Sequence, residues 1–535
     1  MPAADLAILG ARVRTLDPDR PRATAIAMRD GAIVAVGDDA DVRAACDART
    51  ELIDGSALAI VPGLTDSHFH PFWGAEATQG ADLTRVRTID QPRQALAAER
   101  RRVGPDAWVL GWGLVFEVFG ETGIRGDLIA DAAGSQPAYV GFFDGHTAVV
   151  SPAALALADV TGRETFDDFS TVVCDEHGLP TGELRENGAI NLVRAAIPKP
   201  TAAQRYHWYV EAMRTWNAVG LTGIHAMDGS PTTFDFLREL EGNGDLTVRM
   251  VTPLWQKPET PFDEMRAQFP LRDERGRLWR GGVAKFFIDG VIETGTAWLC
   301  DPDSKGEGVT PFWPEPARYA AAVRLFAEAG FQCATHAVGD RGVRCALDAY
   351  RAADSAPGVR HRIEHIEQLT DEDLPRFREQ DVVASMQPLH MLAFRADGSD
   401  EWQTRVGPER RCRAFRAGDL RRSGATVALG SDWMVATFDP RIGMAWARLR
   451  RPGGERDFAP VLPDQALSPL EALKGYTTQA AHTVSEDQLS GRVKPGYRAD
   501  LTAFAEDPVD CDADDLPDLP VLLTVVDGQI VHRTG

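Results

Sequence analysis

The chain has 535 residues, of which 44% are hydrophobic and 25% are charged, and its formal net charge is −22. This composition excludes a disordered chain, and the acidic balance argues against nucleic acid and membrane surfaces as partners. Seven cysteines without a Cys-x-x-Cys pair argue against a disulfide framework, and no apolar run is long enough to cross a bilayer. We therefore expect a cytoplasmic protein.

Both ends of the chain alternate apolar and polar residues, with turn residues between the runs. Asp30 and Gly31 stand where a two-residue hairpin turn is expected, and Asp527 and Gly528 repeat the pattern near the C terminus. This similarity predicts one composite β-sandwich domain that is built from residues 1–59 and 485–535.

The middle of the chain, residues 60–484, alternates short apolar runs with helical patterns, which favours parallel strands joined by crossover helices. Eight strand candidates match the number that closes a TIM-like (β/α)8 barrel, so the predicted fold class is α/β. The long gap after the first candidate predicts an insertion at about residues 72–220. The candidates lie near residues 60–66, 221–226, 247–254, 282–288, 331–336, 361–365, 382–387 and 425–431.

Strongly polar residues recur where these apolar strands stop. Because the carboxyl ends of barrel strands meet at one mouth, we expect their side chains to share a site. Imidazole and carboxylate groups suit zinc and similar divalent ions. Each residue taken singly also fits a hydrogen-bonded core, strand-edge or helix-cap role. The predicted metal site consists of His68, His70, Lys285, His336, His365 and Asp432.

Lys285 is the unusual member of this set. As an ammonium group it would repel the cations beside it, whereas carbamylation by CO2 would turn it into an anionic group that bridges two metal ions. We therefore predict a carbamate on Lys285. A lysine paired with Asp289 would look the same in sequence.

Nine segments carry a resemblance to a known family: residues 62–70, 144–146, 184–186, 285–296, 336–341, 362–365, 385–388, 430–433 and 491–501. They resemble the amidohydrolase superfamily, specifically its family 3 branch, which includes N-substituted formamide deformylases and many uncharacterised metal-dependent hydrolases. The chain departs from that branch at Met434, where the family often has proline, and across residues 291–296. These departures concern substrate identity rather than the ligands.

The resemblance implies that His68, His70 and Asp432 bind one divalent ion, that His336 and His365 bind a second, and that Lys285 bridges the two. Some members keep one ion. Zinc is the expected metal, and Asp432 is the expected catalytic residue. It would accept a proton from water and pass it to the departing amine.

Four further residues are candidates for contacting the substrate or bracing the site: Trp73, His146, His225 and Arg341. The predicted function is metal-dependent hydrolysis of a non-peptide amide C–N bond in a small molecule, such as an N-substituted formamide or acyl amine. Deamination, lactam or ester hydrolysis, decarboxylation and a non-catalytic regulatory role are the alternatives. A homo-oligomer is compatible with this sequence.

Overall fold

The structure is a computed structural model that describes residues 3–143, 145, 147–166, 170–395 and 397–534. The chain divides into two compact units. The first comprises Met1–Pro71, Val210–Trp433 and Thr437–Gly535, and the second comprises Phe72–Tyr209 and Met434–Ala436. Among the described residues, every helix is too short or too polar to span a lipid bilayer.

The strands are numbered in chain order. They are β1 Leu6–Leu9, β2 Arg12–Arg14, β3 Arg22–Ala23, β4 Ala25–Arg29, β5 Ala32–Gly37, β6 Glu51–Asp54, β7 Ala59–Pro62, β8 Leu64–Phe69, β9 Ala81–Asp82, β10 Val109–Leu114, β11 Ala138–Phe142, β12 Thr147–Val150, β13 Thr171–Cys174, β14 Pro180–Arg185, β15 Leu221–Ala226, β16 Arg249–Trp255, β17 Trp279–Phe287, β18 Gln332–Ala337, β19 Arg362–His365, β20 Val383–Met386, β21 Val427–Leu429, β22 Leu501–Phe504, β23 Val521–Val526 and β24 Gln529–Arg533.

The α-helices are numbered in the same way. They are α1 Asp39–Arg43, α2 Pro71–Ala77, α3 Asp90–Val103, α4 Asp127–Ala133, α5 Pro152–Leu157, α6 Glu186–Arg194, α7 Ala202–Ala218, α8 Pro231–Asn243, α9 Phe262–Ala267, α10 Pro316–Glu328, α11 Asp340–Ala352, α12 Arg376–Glu379, α13 Glu401–Val406, α14 Ala417–Ser423, α15 Pro440–Leu449, α16 Pro469–Gly475 and α17 Thr478–Thr483. Short 3-10 helices occupy Phe116–Thr122, Phe269–Asp273, Pro388–Ala393, Arg411–Arg413, Pro463–Gln465 and Leu516–Asp518.

Two sheets of the first unit form a β-sandwich, with strand orders β5-β4-β1-β6 and β24-β23-β22-β7-β2-β3. They share one apolar core, to which Ile8 and Ile26 contribute from one sheet and Ile60 and Val525 from the other. Because β22 to β24 come from the C-terminal end, both ends of the chain build this sandwich, as the alternating patterns predict. The exact domain bounds stay a prediction.

Both predicted hairpin turns are present. Asp30 and Gly31 join β4 to β5 with φ angles of 51° and 77°, and Asp527 and Gly528 join β23 to β24 with φ angles of 54° and 76°. A positive φ at both central residues matches the right-handed twist of the flanking strands, and it explains the Asp-Gly pairs.

The eight-stranded sheet of the first unit is entirely parallel, in the order β21-β20-β19-β18-β17-β16-β15-β8. A parallel bridge between Phe69, the last residue of β8, and Trp433, just beyond β21, closes the sheet. The predicted TIM-like barrel is therefore confirmed. All eight strand candidates correspond to barrel strands, although the first is placed too early.

The prediction of one strand over residues 60–66 is wrong. The apolar run breaks at Gly63, so that β7 belongs to the sandwich and β8 opens the barrel. Gly63 has no room for a side chain, since an added Cβ would overlap Thr222 Oγ1 and lie 2.9 Å from Asp500 Cβ. A close approach of backbone to neighbouring side chains, rather than a change in hydrophobicity, separates the two strands.

The second unit contains a six-stranded sheet in the order β13-β14-β12-β11-β10-β9. Successive residues of β11 face opposite cores: Val140 packs in the core that contains Leu96 of α3, whereas Tyr139 packs in the core that contains Ile190 of α6. Helices therefore cover both faces of this sheet, which explains the many apolar residues in this part of the chain.

Candidate metal centre

The histidine pair at the end of β8 is held by the closure of the barrel. The Asp432 N–H donates to the His68 carbonyl at 2.8 Å, and the His70 N–H donates to the Trp433 carbonyl at 2.9 Å. These bonds bring Asp432 next to both histidines, although more than 350 residues separate them in sequence. Asp432 itself has a φ of 59°, which turns the chain sharply just after β21.

The carboxylate of Asp432 is the centre of the cluster. Its Oδ1 lies 3.3 Å from His68 Nε2 and 3.0 Å from His70 Nε2. Its Oδ2 lies 3.3 Å from His390 Nε2 and 4.0 Å from His365 Nδ1. Burial alone would raise the pKa of this carboxyl, but His68, His390 and His70 hold it well below its usual range, so Asp432 is ionised.

His336 and His365 complete the group of imidazoles. The ring centre of His365 lies 4.7 Å from that of His68 and 4.2 Å from that of His336. His336 also stacks on Phe287 at 3.9 Å, and its Nε2 lies 3.1 Å from the Gly290 carbonyl oxygen. The four predicted histidines therefore lie together.

Lys285, on β17, is only 1% exposed. Burial lowers the pKa of its ammonium group to about 8, with a further lowering by Arg362, while Glu364 and Asp432 act in the opposite direction. The alternative partner, Asp289, accepts hydrogen bonds from the backbone N–H groups of Trp298, Val338 and Gly339 instead. Within the described ranges, no ion pair joins Asp289 to Lys285.

A buried ion pair behind His68 was missed by the sequence analysis. Glu364 Oε2 accepts a hydrogen bond from His68 Nδ1 at 2.7 Å, and Arg362 donates to both carboxylate oxygens at 2.5 and 2.9 Å. Burial alone would raise the pKa of Glu364, but Arg362 and His68 hold it far below its usual range. The anionic carboxylate fixes the His68 proton on Nδ1, which leaves the Nε2 lone pair facing Asp432.

His225 lies one step further from the cluster. It is buried, and its Nδ1 accepts a hydrogen bond from Arg362 Nη1 at 3.1 Å. The chain of contacts therefore runs from His225 through Arg362 and Glu364 to His68. The two predicted options for His225, contacting the substrate and bracing the site, both stay predictions.

His390 was also missed. It lies in the short helix that follows β20, between Asp432 and Glu367, with its Nδ1 3.2 Å from Glu367 Oε1. Burial would lower the pKa of His390, but hydrogen bonds and charges from Asp432 and Glu367 raise it to about 10. The Trp402 indole N–H donates to the other Glu367 oxygen at 2.7 Å. A search for polar residues just beyond each strand end, rather than at it, would have found His390.

The remaining substrate-contact candidates are Trp73, Arg341 and His146. Trp73 lies in α2 of the second unit and is 39% exposed. Arg341 is exposed and stands 5.6 Å from the Trp298 ring centre. His146 lies outside the described residues. Their roles stay predictions.

The donor atoms of the cluster fit a divalent cation. Ligand atoms of His68, His365 and Asp432 all lie within 4.8 Å of one another. His365 Nδ1 is buried and has no hydrogen-bond partner in the described part of the chain. Buried polar atoms without partners cost free energy, and imidazole nitrogen with carboxylate oxygen is a common donor set for zinc.

A (β/α)8 barrel with histidines and a carboxylate at its carboxyl-terminal mouth defines a metal-dependent hydrolase. The chain belongs to the Amidohydrolase family, whose sequence pattern matches residues 51–532. It is 28% identical to the N-substituted formamide deformylase of Arthrobacter pascens, over 99% of each chain. It is 27% identical to Protein LONG AFTER FAR-RED 3 of Arabidopsis thaliana, over 99% of this chain and 92% of that protein.

Among solved structures, the fold is similar to that of an uncharacterized metal-dependent hydrolase from Pyrococcus furiosus, with a TM-score of 0.73 and 23% identity. The similarity covers 94% of this chain and 99% of that chain. The shared architecture therefore extends over the sandwich and the barrel alike.

Proposed function

We propose that this protein hydrolyses a non-peptide amide C–N bond of a small molecule, such as an N-substituted formamide or an acyl amine. The observation that carries the proposal is the position of Asp432, whose two carboxylate oxygens lie within 4.0 Å of four imidazole nitrogens. The 28% identity to a formamide deformylase supports amide hydrolysis in general rather than one substrate. A cytoplasmic location and a small-molecule partner belong to the same proposal.

His68, His70 and Asp432 would hold one divalent ion, His336 and His365 a second, and Lys285 would bridge them. Zinc suits this donor set. A divalent ion at such a site supplies Lewis acidity, which polarises a carbonyl oxygen and lowers the pKa of water to about 7. The tautomer of His68 is set for ligation, because its Nδ1–H donates a hydrogen bond to Glu364 and its Nε2 lone pair stays available.

Lys285 is suited to carbamylation. Its burial favours the neutral amine, which is the form that attacks CO2. The amine nitrogen forms a bond to the CO2 carbon while one C=O π electron pair moves onto oxygen, one N–H proton leaves to solvent, and the side chain becomes an anionic carbamate. This change replaces an amine, which would repel the cations when protonated, with an anionic group that attracts them.

Asp432 would act as the proton carrier. As an ionised carboxylate it accepts a proton from the attacking water, whose oxygen forms a bond to the carbonyl carbon. When the C–N bond breaks, Asp432 passes that proton to the departing nitrogen. The products are a carboxylic acid and an amine.

The proposal is tested by a panel of formamides, acyl amines, lactams, esters and amino-heterocycles. Metal-loaded wild type should turn over an amide, and Asp432→Asn should be slower by at least about 100-fold, the usual contribution of a positioned acid–base group. Asp235→Asn, at an exposed position on α8, is the matched control and should keep full activity. Turnover of Asp432→Asn at the wild-type rate would contradict the assigned role, and turnover of another substrate class alone would replace the amide.

The carbamate is tested separately. Protein reconstituted with labelled bicarbonate should show a carbamate carbon signal in 13C NMR, and Lys285→Ala should lose both that signal and part of its bound metal. A short carboxylic acid added to Lys285→Ala should restore some activity, since it supplies the missing anionic oxygens. A fully active, metal-loaded wild type without the signal would refute the carbamate.

A further inference from the structure

A cavity of about 350 Å³ lies at the base of the barrel, at the opposite end of the strands from the metal centre. It is lined by the amino-terminal ends of β8, β15, β16 and β17 and by residues of the 477–500 segment. Thr65 and Arg280 line this basal cavity, whereas His68 and Lys285, further along the same strands, belong to the metal centre. The two sites are therefore distinct and share their supporting strands.

The charge of the basal cavity is opposite to that of the chain as a whole. Its lining includes six arginines, Arg249, Arg275, Arg277, Arg280, Arg492 and Arg498, but only two carboxylates, Glu486 and Asp500. Asp527, which pairs with Arg249 and Arg277, brings a third carboxylate close by. Asp273, beside Arg275, and Glu241, beside Leu278, add two more, which leaves a local excess of about one positive charge in a chain of net charge −22. A local positive excess concentrates anions.

Among the described residues, Arg492 has no carboxylate partner and Arg275 has only a distant one. Arg492 donates from Nη1 to the Asp487 carbonyl at 3.0 Å, and its buried Nε has no hydrogen-bond partner within the described ranges. Arg275 forms only a long ion pair with Asp273, with 4.0 Å between Nη2 and Oδ1, and Asp273 is shared with Arg272 at 2.6 Å. Both guanidinium groups line the basal cavity and retain donors for a ligand.

A buried imidazole adds a second kind of donor to the same cavity. His225 lines it and is only 3% exposed. Because its Nδ1 accepts from Arg362, the neutral ring carries its proton on Nε2. No hydrogen bond to that nitrogen exists among the described residues. Burial and the charges of Arg362 and Arg280 lower the pKa of His225 and keep the ring neutral.

We propose that the basal cavity binds a small molecule that carries two negative charges, with a phosphate group or a dicarboxylate as the two chemical sources. Guanidinium groups present pairs of N–H donors that match the oxygens of phosphate and carboxylate. Arg492 supplies a guanidinium group without a carboxylate partner among the described residues, Arg275 supplies a weakly paired one, and His225 supplies a buried donor. His225 also begins the series of contacts that runs through Arg362 and Glu364 to His68 in the metal centre. An anion bound in the basal cavity would therefore contact this series at His225.

The binding is tested by calorimetric titration of the metal-loaded whole chain with inorganic phosphate, succinate and acetate at constant ionic strength. Phosphate, succinate or both should bind saturably at one site per chain, and monovalent acetate should not. Whichever dianion binds identifies the source. Arg492→Gln and Arg275→Gln should each weaken binding at least tenfold, because each removes a charge-assisted donor. Arg533→Gln, an exposed residue of β24 outside the cavity, is the control with the same charge change.

Phosphate also binds metal ions, so the location of the anion needs its own control. Asp432→Asn should keep the dianion affinity of wild type, since Asp432 is remote from the basal cavity. Loss of binding in Asp432→Asn with retention in Arg492→Gln would place the anion at the metal centre and overturn the proposal. The proposal would also be overturned if wild type showed no saturable dianion binding, or if both arginine variants kept the wild-type dianion affinity. The Arg275 side chain is 68% exposed, so that Arg275→Gln does not put folding at stake.

Discussion

The contact between Glu364 and His68 leads to a sharp prediction about metal affinity. In Glu364→Gln the side chain keeps its shape but loses its charge. Arg362 and His68 Nδ1 both donate hydrogen bonds to Glu364 in the native protein, so the NH2 group of the glutamine must face one of these two donors. If the amide donates to Nδ1, the His68 proton moves to Nε2, the nitrogen proposed to bind metal. Either arrangement weakens the histidine as a ligand.

The expected loss follows from the role of such supporting contacts in metal sites. Replacing the carboxylate partner of a ligating histidine lowers metal affinity about 10- to 100-fold, which is about 1.4 to 2.7 kcal/mol. The variant also leaves Arg362 buried without its counter-charge, which destabilises the folded chain by about 3 to 5 kcal/mol. Both effects should appear in the same protein, as weaker metal binding and a lower thermal midpoint.

Competition with a chromophoric chelator measures the metal affinity of wild type, Glu364→Gln and Glu486→Gln. Glu486→Gln is the matched control: it removes a carboxylate from Arg280 and Arg498 at the base of the barrel but touches no histidine of the cluster. Its metal affinity should equal that of wild type. Wild-type affinity in Glu364→Gln, or an equal loss in both variants, would refute the tautomer argument.

Two predictions concern stability. Burial lowers the pKa of His361 to about 4 from its usual 6.5, so the unfolded chain binds a proton first as the pH falls. The contribution of His361 to the free energy of unfolding is complete above pH 6.5 and should fall by about 3 kcal/mol towards pH 4. Denaturant titrations over this pH range should show a smaller decline in the free energy of unfolding for His361→Gln than for wild type. An equal decline in both proteins would contradict the assignment. Gly63→Ala should lower the free energy of unfolding by about 1 to 3 kcal/mol through overpacking against Thr222, whereas Gly242→Ala, with open space around it, should not destabilise.

Much of the scaffold could be predicted because its signals are local. The Asp-Gly turns, the alternating strands at both ends and the eight apolar runs depend on residues close together in sequence, whose periodicity sets the strand faces. The pairing of His68 and His70 could be predicted for the same reason, because residues two positions apart on an extended chain point to the same face. The break at Gly63 was not found, because a single apolar run gives no sign that its two halves enter different sheets.

The polar contacts inside the barrel were decided by tertiary structure alone. Arg362 and Glu364 look like ordinary alternating residues of a short strand, and nothing local indicates that one meets His225 and the other His68. His390 joins Asp432 only because the segment after β20 folds back over the barrel mouth. The amino-acid sequence by itself determined which strands form and which side chains stand at their ends, because those depend on near neighbours. The closed barrel decided which charges face one another, because only closure brings together strands hundreds of residues apart.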